Sequence, residues 1–366
     1  MKAGALYLTL TIAIIVTTII FSLFLYIFHQ KIIIIDAILI ENKIKRIQEG
    51  KTFFELNRNI FEYNKSLSFD IYNSGSDSLY FFLEHNGIYD DVTISDISGD
   101  KVFKKKYRVG NVLPKNLSIY ITDRGEILSI TTDMNFKHSL FLPKQMYKPI
   151  FSNGANPKYD VKPSLSKLPE IDASKMLYLD RLLTTFSKSK KVPTKAIDTI
   201  LSYSSRVIVS SNFKWNNVLL IAPSIIIENG FKGNLQCVAS DSIVIGNNVE
   251  LSYPSGVCLI QKRDTSAYLL LKEKSKVSGG VIVINKNNFM QLPRTEIQKL
   301  ACVEGILYNQ GRLKCMGIIQ GSLFTEVIES EIGVNIIGSF KFDNKDSFRK
   351  MLVPTILPNT IKRIIY

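Results

Sequence analysis

The chain has 366 residues, 46% of them hydrophobic and 21% charged, proportions that leave room for two or three folded domains and exclude a disordered tail. A net charge of +14 permits attraction to anionic lipid or polysaccharide, but the lysines are scattered with few aromatics among them, which argues against nucleic acid as a partner. Four cysteines, Cys237, Cys258, Cys302 and Cys315, are too few for a disulfide scaffold and lack CxxC spacing. His29, His85 and His138 lie far from them along the chain, so neither a metal site nor a cofactor is expected.

The first element in chain order is the run "AGALYLTLTIAIIVTTIIFSLFLYIFHQ" from Ala3 to Gln30, free of Asp, Glu, Lys and Arg. As a helix its apolar part is roughly 36 Å long at 1.5 Å per residue, enough to cross a bilayer with some tilt. The apolar core is too long for a cleaved signal and no small-x-small site precedes Lys31. Ile33, Ala37, Ile40, Ile44 and Ile47 follow at spacings of three and four, so residues 1–62 read as an anchor whose helix projects from the membrane with an apolar face that wants a partner. Lys31, Lys43, Lys45 and Arg46 outnumber Lys2, and a plain positive-inside count would keep the large C-terminal part in the cytoplasm.

The stretch "MKAGALYLTLTIAIIVTTIIFSLF" resembles the N-termini of minor pilins and type II secretion pseudopilins of the tip-located kind: a short basic leader, Gly4, then a long apolar helix. The family's membrane-embedded glutamate, five residues after the glycine, falls here on Thr9, a departure that tip subunits share. The resemblance implies a bacterial inner-membrane protein, single-pass, with its C-terminal part outside the cytoplasm, against the lysine count.

Residues 63–150 alternate short β-prone runs ("LSFDIYN", "SLYFFLEH", "DVTISDI", "KVFKKKYRVG", "LSIYITD", "EILSITT") with turn sequences such as "HNG" and "DRG", the pattern of a small, mainly antiparallel β domain. Residues 151–205 read as a linker carrying one amphipathic helix, "DASKMLYLDRLLTTFSK". Asp172 can cap its start, and Met176, Leu179, Leu182, Leu183 and Phe186 form its apolar face.

From 206 the sequence repeats itself. "SIIIENG" at 224–230 returns as "SIVIGNN" at 242–248, and a motif of β-branched residue, any residue, glycine, any residue and two apolar residues starts at Val277, Val303 and Ile319. Intervals of 16 to 26 residues with strands of three to five predict a single-stranded parallel β-helix over 206–345, a β-solenoid in which equivalent positions stack. The structural repeat residues are then Gly279, Gly305 and Gly321 at corners with a φ that favours glycine, and Leu307 and Leu323 in the core. Asn229, Asn247 and Asn248 suit left-handed turn positions, and Cys237 and Cys258 are expected to stack as core thiols. Residues 346–366 read as a C-terminal tail. The phrase "GILYNQGRLKCMGIIQG" is similar to the coils of bactofilins, which form polymers. With "NFKHSLFLPK" and "LLIAPSIIIENGFKGNLQCVASDSIVIG", the chain also resembles a group of uncharacterised single-anchor bacterial envelope proteins that supplies no activity to carry over.

Glu228, Asp241, Glu250 and Lys232 are the residues that carbohydrate chemistry on a β-helix would use, yet one acidic residue per coil is also what any solvated coil face shows, so no catalytic residue is expected. His85 and His138 read as turn or surface residues. The fold class expected is mainly β: a transmembrane helix, a small antiparallel domain and a parallel β-helix. The expected role is structural or adhesive, with lipid and protein partners met through the projecting helix or the solenoid. Anionic polysaccharide is a further candidate ligand. The rival readings are a cytoplasm-facing, bactofilin-like scaffold and a carbohydrate-active enzyme.

Overall fold

The computed structural model describes residues 2–71, 78–98, 101–112, 117–125, 128–130, 139–144, 147–149, 161–184, 192–287, 289–329, 336–337, 341–343, 351–356 and 362–364. The chain is mainly β with one long N-terminal apolar helix, and it divides into two compact units. The first comprises Met1–Phe82 and Thr93–Lys106, the second Leu83–Val92 and Tyr107–Tyr366.

In the first unit, helix α1 (Lys2–Leu56) runs unbroken for 55 residues, roughly 80 Å, well beyond the ~30 Å hydrocarbon core of a bilayer. It is long and apolar enough to cross a membrane. Its large apolar side chains are exposed from Leu6 to Ile44, whereas Ile47 and Phe54 are buried. The stripe that starts at Ile33 therefore meets protein at its lower end, and Ile33, Ile40 and Ile44 remain exposed. Gly50 makes the close approach there possible: a Cβ on it would lie 2.8 Å from Leu79 Cδ1 and 3.3 Å from Ile94 Cγ2. Around it the rings of Phe54 and Phe61 sit 4.9 Å apart, Phe61 and Phe81 5.1 Å, and Phe53 and Phe69 5.1 Å. Such contacts add to the apolar area that each ring buries. Arg46 reaches Asp96 at 3.3 Å, an ion pair whose carboxylate is fully buried.

Strands β1 (Ser66–Phe69), β2 (Leu79–Asn86), β3 (Tyr89–Ser98) and β4 (Lys101–Val112) follow one another in an antiparallel sheet. The antiparallel pattern read over 63–150 ends at Val112. Beyond it the strand Leu117–Ile121 joins a different, parallel sheet, with Ile119 beside Leu323 and Leu140 beside Ile119. Within the stretch read as a C-terminal tail, Leu352–Val353 and Lys362–Ile364 pair antiparallel with β4, and Val353 and Ile356 are buried.

The second unit is dominated by that parallel sheet of fifteen strands. Ser224 lies beside Ser242, and Val277 beside Val303, which lies beside Ile319, the registers that the repeats predict. Because side chains alternate across a strand, each ladder sorts its residues onto two faces. Leu220, Cys237, Val257, Val281, Leu307 and Leu323 form one stacked column, continued by Ile119 and Leu140, inside the larger apolar core. One residue along, Val238, Cys258, Ile282, Tyr308 and Phe324 face a second core, covered by Leu179 and Leu183 and by Val353 and Ile356. Leu179 belongs to α2 (Ala173–Leu182), whose start Asp172 caps by accepting from the Ser174 and Lys175 amides, as the sequence predicts. Met176 and Leu182 are partly buried against the same core. Phe186 lies outside the described residues.

Cys237 and Cys258 are not in equivalent positions. Cys237 pairs with Val257 and Cys258 with Val238, so the two thiols point to opposite faces and into different cores. Aligning thiol on thiol takes an interval of 21 residues where the ladder runs at 20, and a one-residue slip moves a side chain to the other face. Both thiols are free and buried, and burial pushes the Cys258 thiol up to about 12 and that of Cys237 further. Of the three turn asparagines only Asn248 has positive φ, +55°. Asn229 instead accepts from the Asn247 amide through Oδ1, at 2.8 Å. The stretch read as a linker holds the strands Val161–Pro163, Lys195–Ile197 and Ile200–Ser202, all paired parallel.

Candidate functional site

The repeat glycines occupy one column, Gly279 beside Gly305 beside Gly321. Their φ values are +134°, +114° and +137°, a region closed to most side chains. The backbone of each strand is pressed against its neighbour in the ladder: a Cβ on Gly305 would stand 2.2 Å from the Gly279 carbonyl oxygen, and one on Gly321 1.9 Å from that of Gly305. Leu307 and Leu323, two residues on, are fully buried in the column beside it. The motif therefore carries shape, setting the distance between neighbouring strands of the ladder.

The four residues weighed for carbohydrate chemistry are all exposed. Lys232 pairs with Glu250 at 3.3 Å, Asp241 accepts from Ser240 Oγ at 2.8 Å, and Glu228 lines a shallow hollow with Ser211, Asn229 and Lys272. Neither Asp241 nor Glu250 lines that hollow. Glycoside chemistry needs two carboxyl groups set across one bond. A triple variant, Glu228→Gln with Asp241→Asn and Glu250→Gln, is expected to melt within about 2 °C of wild type, since surface changes of this kind have small effects, and to complement a deletion strain fully. A folded triple variant that fails to complement would put carboxylate chemistry first.

The densest collection of charged and polar groups lies elsewhere in the second unit, around the tip of the β2–β3 hairpin. Gly87, at φ +61°, turns the chain, and the Ile88 amide donates to Gln236 Oε1 at 2.8 Å. Next come Tyr89, Asp90 and Asp91, all buried. Arg108 Nε meets Asp91 Oδ1 at 3.2 Å, Asn86 Nδ2 donates to Asp91 Oδ2, and Arg108 Nη1 donates to Asn217 Oδ1. Asp90 Oδ1 receives both Lys175 Nζ, at 2.7 Å, and His85 Nδ1, at 2.8 Å. The side chains of Lys175, Asp90 and His85 are 1%, 0% and 7% exposed. Lys175 Nζ also donates to the Tyr89 carbonyl and lies 5.6 Å from the centre of the Tyr178 ring. Tyr178 accepts from the Gly87 amide at 3.2 Å, and its hydroxyl titrates above the usual range because it is buried.

His85 is thus no surface residue, and His138 lies outside the described residues. Lys175 was legible in principle: it precedes Leu179 by four residues and Leu183 by eight, which places it on the buried side of α2. A lysine in that position needs a partner, and Asp90, in the "YDD" after the "HNG" turn, supplies one from 85 residues away. Among the described residues no group of three or more His, Cys, Asp or Glu is gathered in an arrangement that could hold a metal ion. Comparison with protein-family models, with curated proteins and with solved structures finds no match to this chain.

Proposed function

We propose that the chain is a structural or adhesive protein of the bacterial envelope, held in the inner membrane by a single helix and working without catalysis, as a minor-pilin-like component of a pilus or secretion assembly. The observation that carries this reading is α1 itself. Its apolar surface is exposed from Leu6 to Ile44, and the same unbroken helix becomes part of a folded core at Ile47 and Phe54. A helix that only tethers needs no such continuation; one that also holds a β unit at a fixed attitude to the membrane does. We read the parallel ladder as a β-solenoid, supported by the coil-to-coil registers and the glycine column. Charges on its flanks pair with each other from coil to coil, the exposed Lys232 with Glu250 and the half-buried Lys276 with Glu304.

The body is placed outside the cytoplasm in this reading. Met290 is 99% exposed, so Met290→Cys with a membrane-impermeant thiol reagent tests the placement. With the half-buried Cys302 replaced by serine, the native background should be low, because Cys237, Cys258 and Cys315 are buried and thiols with titration pushed up to about 12 or beyond offer little thiolate. Labelling of the variant in intact spheroplasts, at several times the wild-type level, is the expected result. Labelling that requires lysis would overturn the pilin-like reading in favour of a cytoplasmic scaffold.

A further inference from the structure

We propose that Lys175 and Asp90 condense into an intramolecular isopeptide bond. The proposal stands on the hairpin-tip geometry and holds whichever role the chain has at the envelope. Three features distinguish this pair from an ordinary ion pair. First, Lys175 Nζ and Asp90 Oδ1 are 2.7 Å apart with both side chains removed from water, and the amine is fixed by a second bond to the Tyr89 carbonyl. Ile88, Tyr89, Leu179 and Cys258 belong to the apolar core beside it. Second, removal from water penalises the ammonium and the carboxylate, which lowers the cost of passing from the ion pair to an uncharged amine and carboxylic acid. Those uncharged forms are the ones that react with each other. Third, His85 Nδ1 stands 2.8 Å from the same carboxyl oxygen, within reach for proton transfer, and its ring centre is 5.1 Å from that of Tyr178, which also covers the amine.

The step balances without any co-reactant. The neutral Lys175 amine attacks Asp90 Cγ and a C–N bond forms. The amine proton passes through His85 to the departing hydroxyl, the C–O bond breaks, and one water leaves. Holding the two groups in contact replaces an encounter in solution, which is the source of the large effective concentrations of intramolecular reactions. The product is a neutral amide where two buried charges stood. It ties the start of β3 to the first turn of α2, 85 residues apart.

Intact mass measurement on the full chain, purified in detergent and denatured, reads the bond directly. The expected mass is one water below that of the sequence, and digestion should give a branched peptide joining the segments that carry Asp90 and Lys175. Asp90→Asn should lose one ammonia instead of one water, and Lys175→Arg should keep its full mass. His85→Ala, with its fold checked by circular dichroism, should accumulate the lighter species at least tenfold more slowly. Wild-type protein that is folded and carries its full sequence mass overturns the proposal and leaves the pair as an ion pair only.

Discussion

Gly321→Val is expected to destabilise the second unit by about 3 to 5 kcal/mol. Strained backbone at φ +137° contributes about 1 to 3 kcal/mol, and the crowding contributes about as much again, because the added Cβ would stand 1.9 Å from the Gly305 carbonyl oxygen. That oxygen is backbone inside a ladder and cannot swing away. Gly321→Ala should therefore cost nearly as much as valine, since Cβ is already the offending atom. Gly230→Ala is the control. Gly230 also has positive φ, +78°, but open space around it, so only the conformational cost of about 1 to 2 kcal/mol remains. Denaturant melts of the whole chain in detergent measure the difference. A piece beginning at Arg206 would lose the strand Ile200–Ser202 and the cover that α2 gives to the second core, so it is a poorer substrate for the test. Equal melts for Gly321→Ala and Gly230→Ala would remove the glycine column as the feature that spaces the strands.

Phe54→Ala should cost the first unit about 3 to 5 kcal/mol, the range for truncating a buried aromatic. Phe54 is fully buried, its ring centre is 4.9 Å from that of Phe61, and the Arg58 guanidinium lies 5.7 Å from its centre. Ile47, Gly50 and Phe54 are the points at which the projecting helix enters a core, so the loss should show first as faster hydrogen exchange in residues 43–56. Protection there that matches the wild type would mean that the helix is held by something other than this contact. Leu56→Ala, at a side chain 79% exposed, should leave exchange unchanged.

The parts of the fold that were legible from sequence are those whose physical cause is local or repeated. The long apolar helix is a matter of uninterrupted hydrophobicity. The ladder from Val218 to Glu329 announces itself because "SIIIENG" and "SIVIGNN", or the motifs at Val303 and Ile319, must look alike to stack. Asp172 caps α2 because its carboxylate is the right distance from the next amides in sequence.

What escaped was non-local. The strands Leu117–Ile121 and Ser139–Leu142 extend the parallel sheet past Phe324, but they share with the repeats little beyond alternation and looked like further antiparallel strands. The phase of Cys258 depends on a ladder interval of 20 residues where the thiols stand 21 apart, and a single residue decides which face a side chain takes. The Asp90, His85 and Lys175 cluster joins a hairpin tip to a helix, and its only trace in the sequence was a lysine on the apolar side of α2. The candidate site was accordingly the least legible part of the molecule, since buried polar groups are defined by partners far along the chain.

The order of strands in the parallel sheet also has a consequence for how the protein is made. Ile119 lies beside Leu323, so a strand that leaves the ribosome early must wait for one that leaves about two hundred residues later. At about 5 to 20 residues per second the interval is about 10 to 40 s, far longer than the time in which an unpaired β segment finds a wrong neighbour. Strands from Val218 onward can add in the order of synthesis, each on the one before, but the end of the sheet closes only when the strand Ile318–Glu329 is complete. Contacts of such sequence separation slow folding. Until then "LSIYITD" and "SLFLPK" are sticky strands with open edges, and a nascent chain stalled between residues 150 and 300 should be the species that chaperones capture.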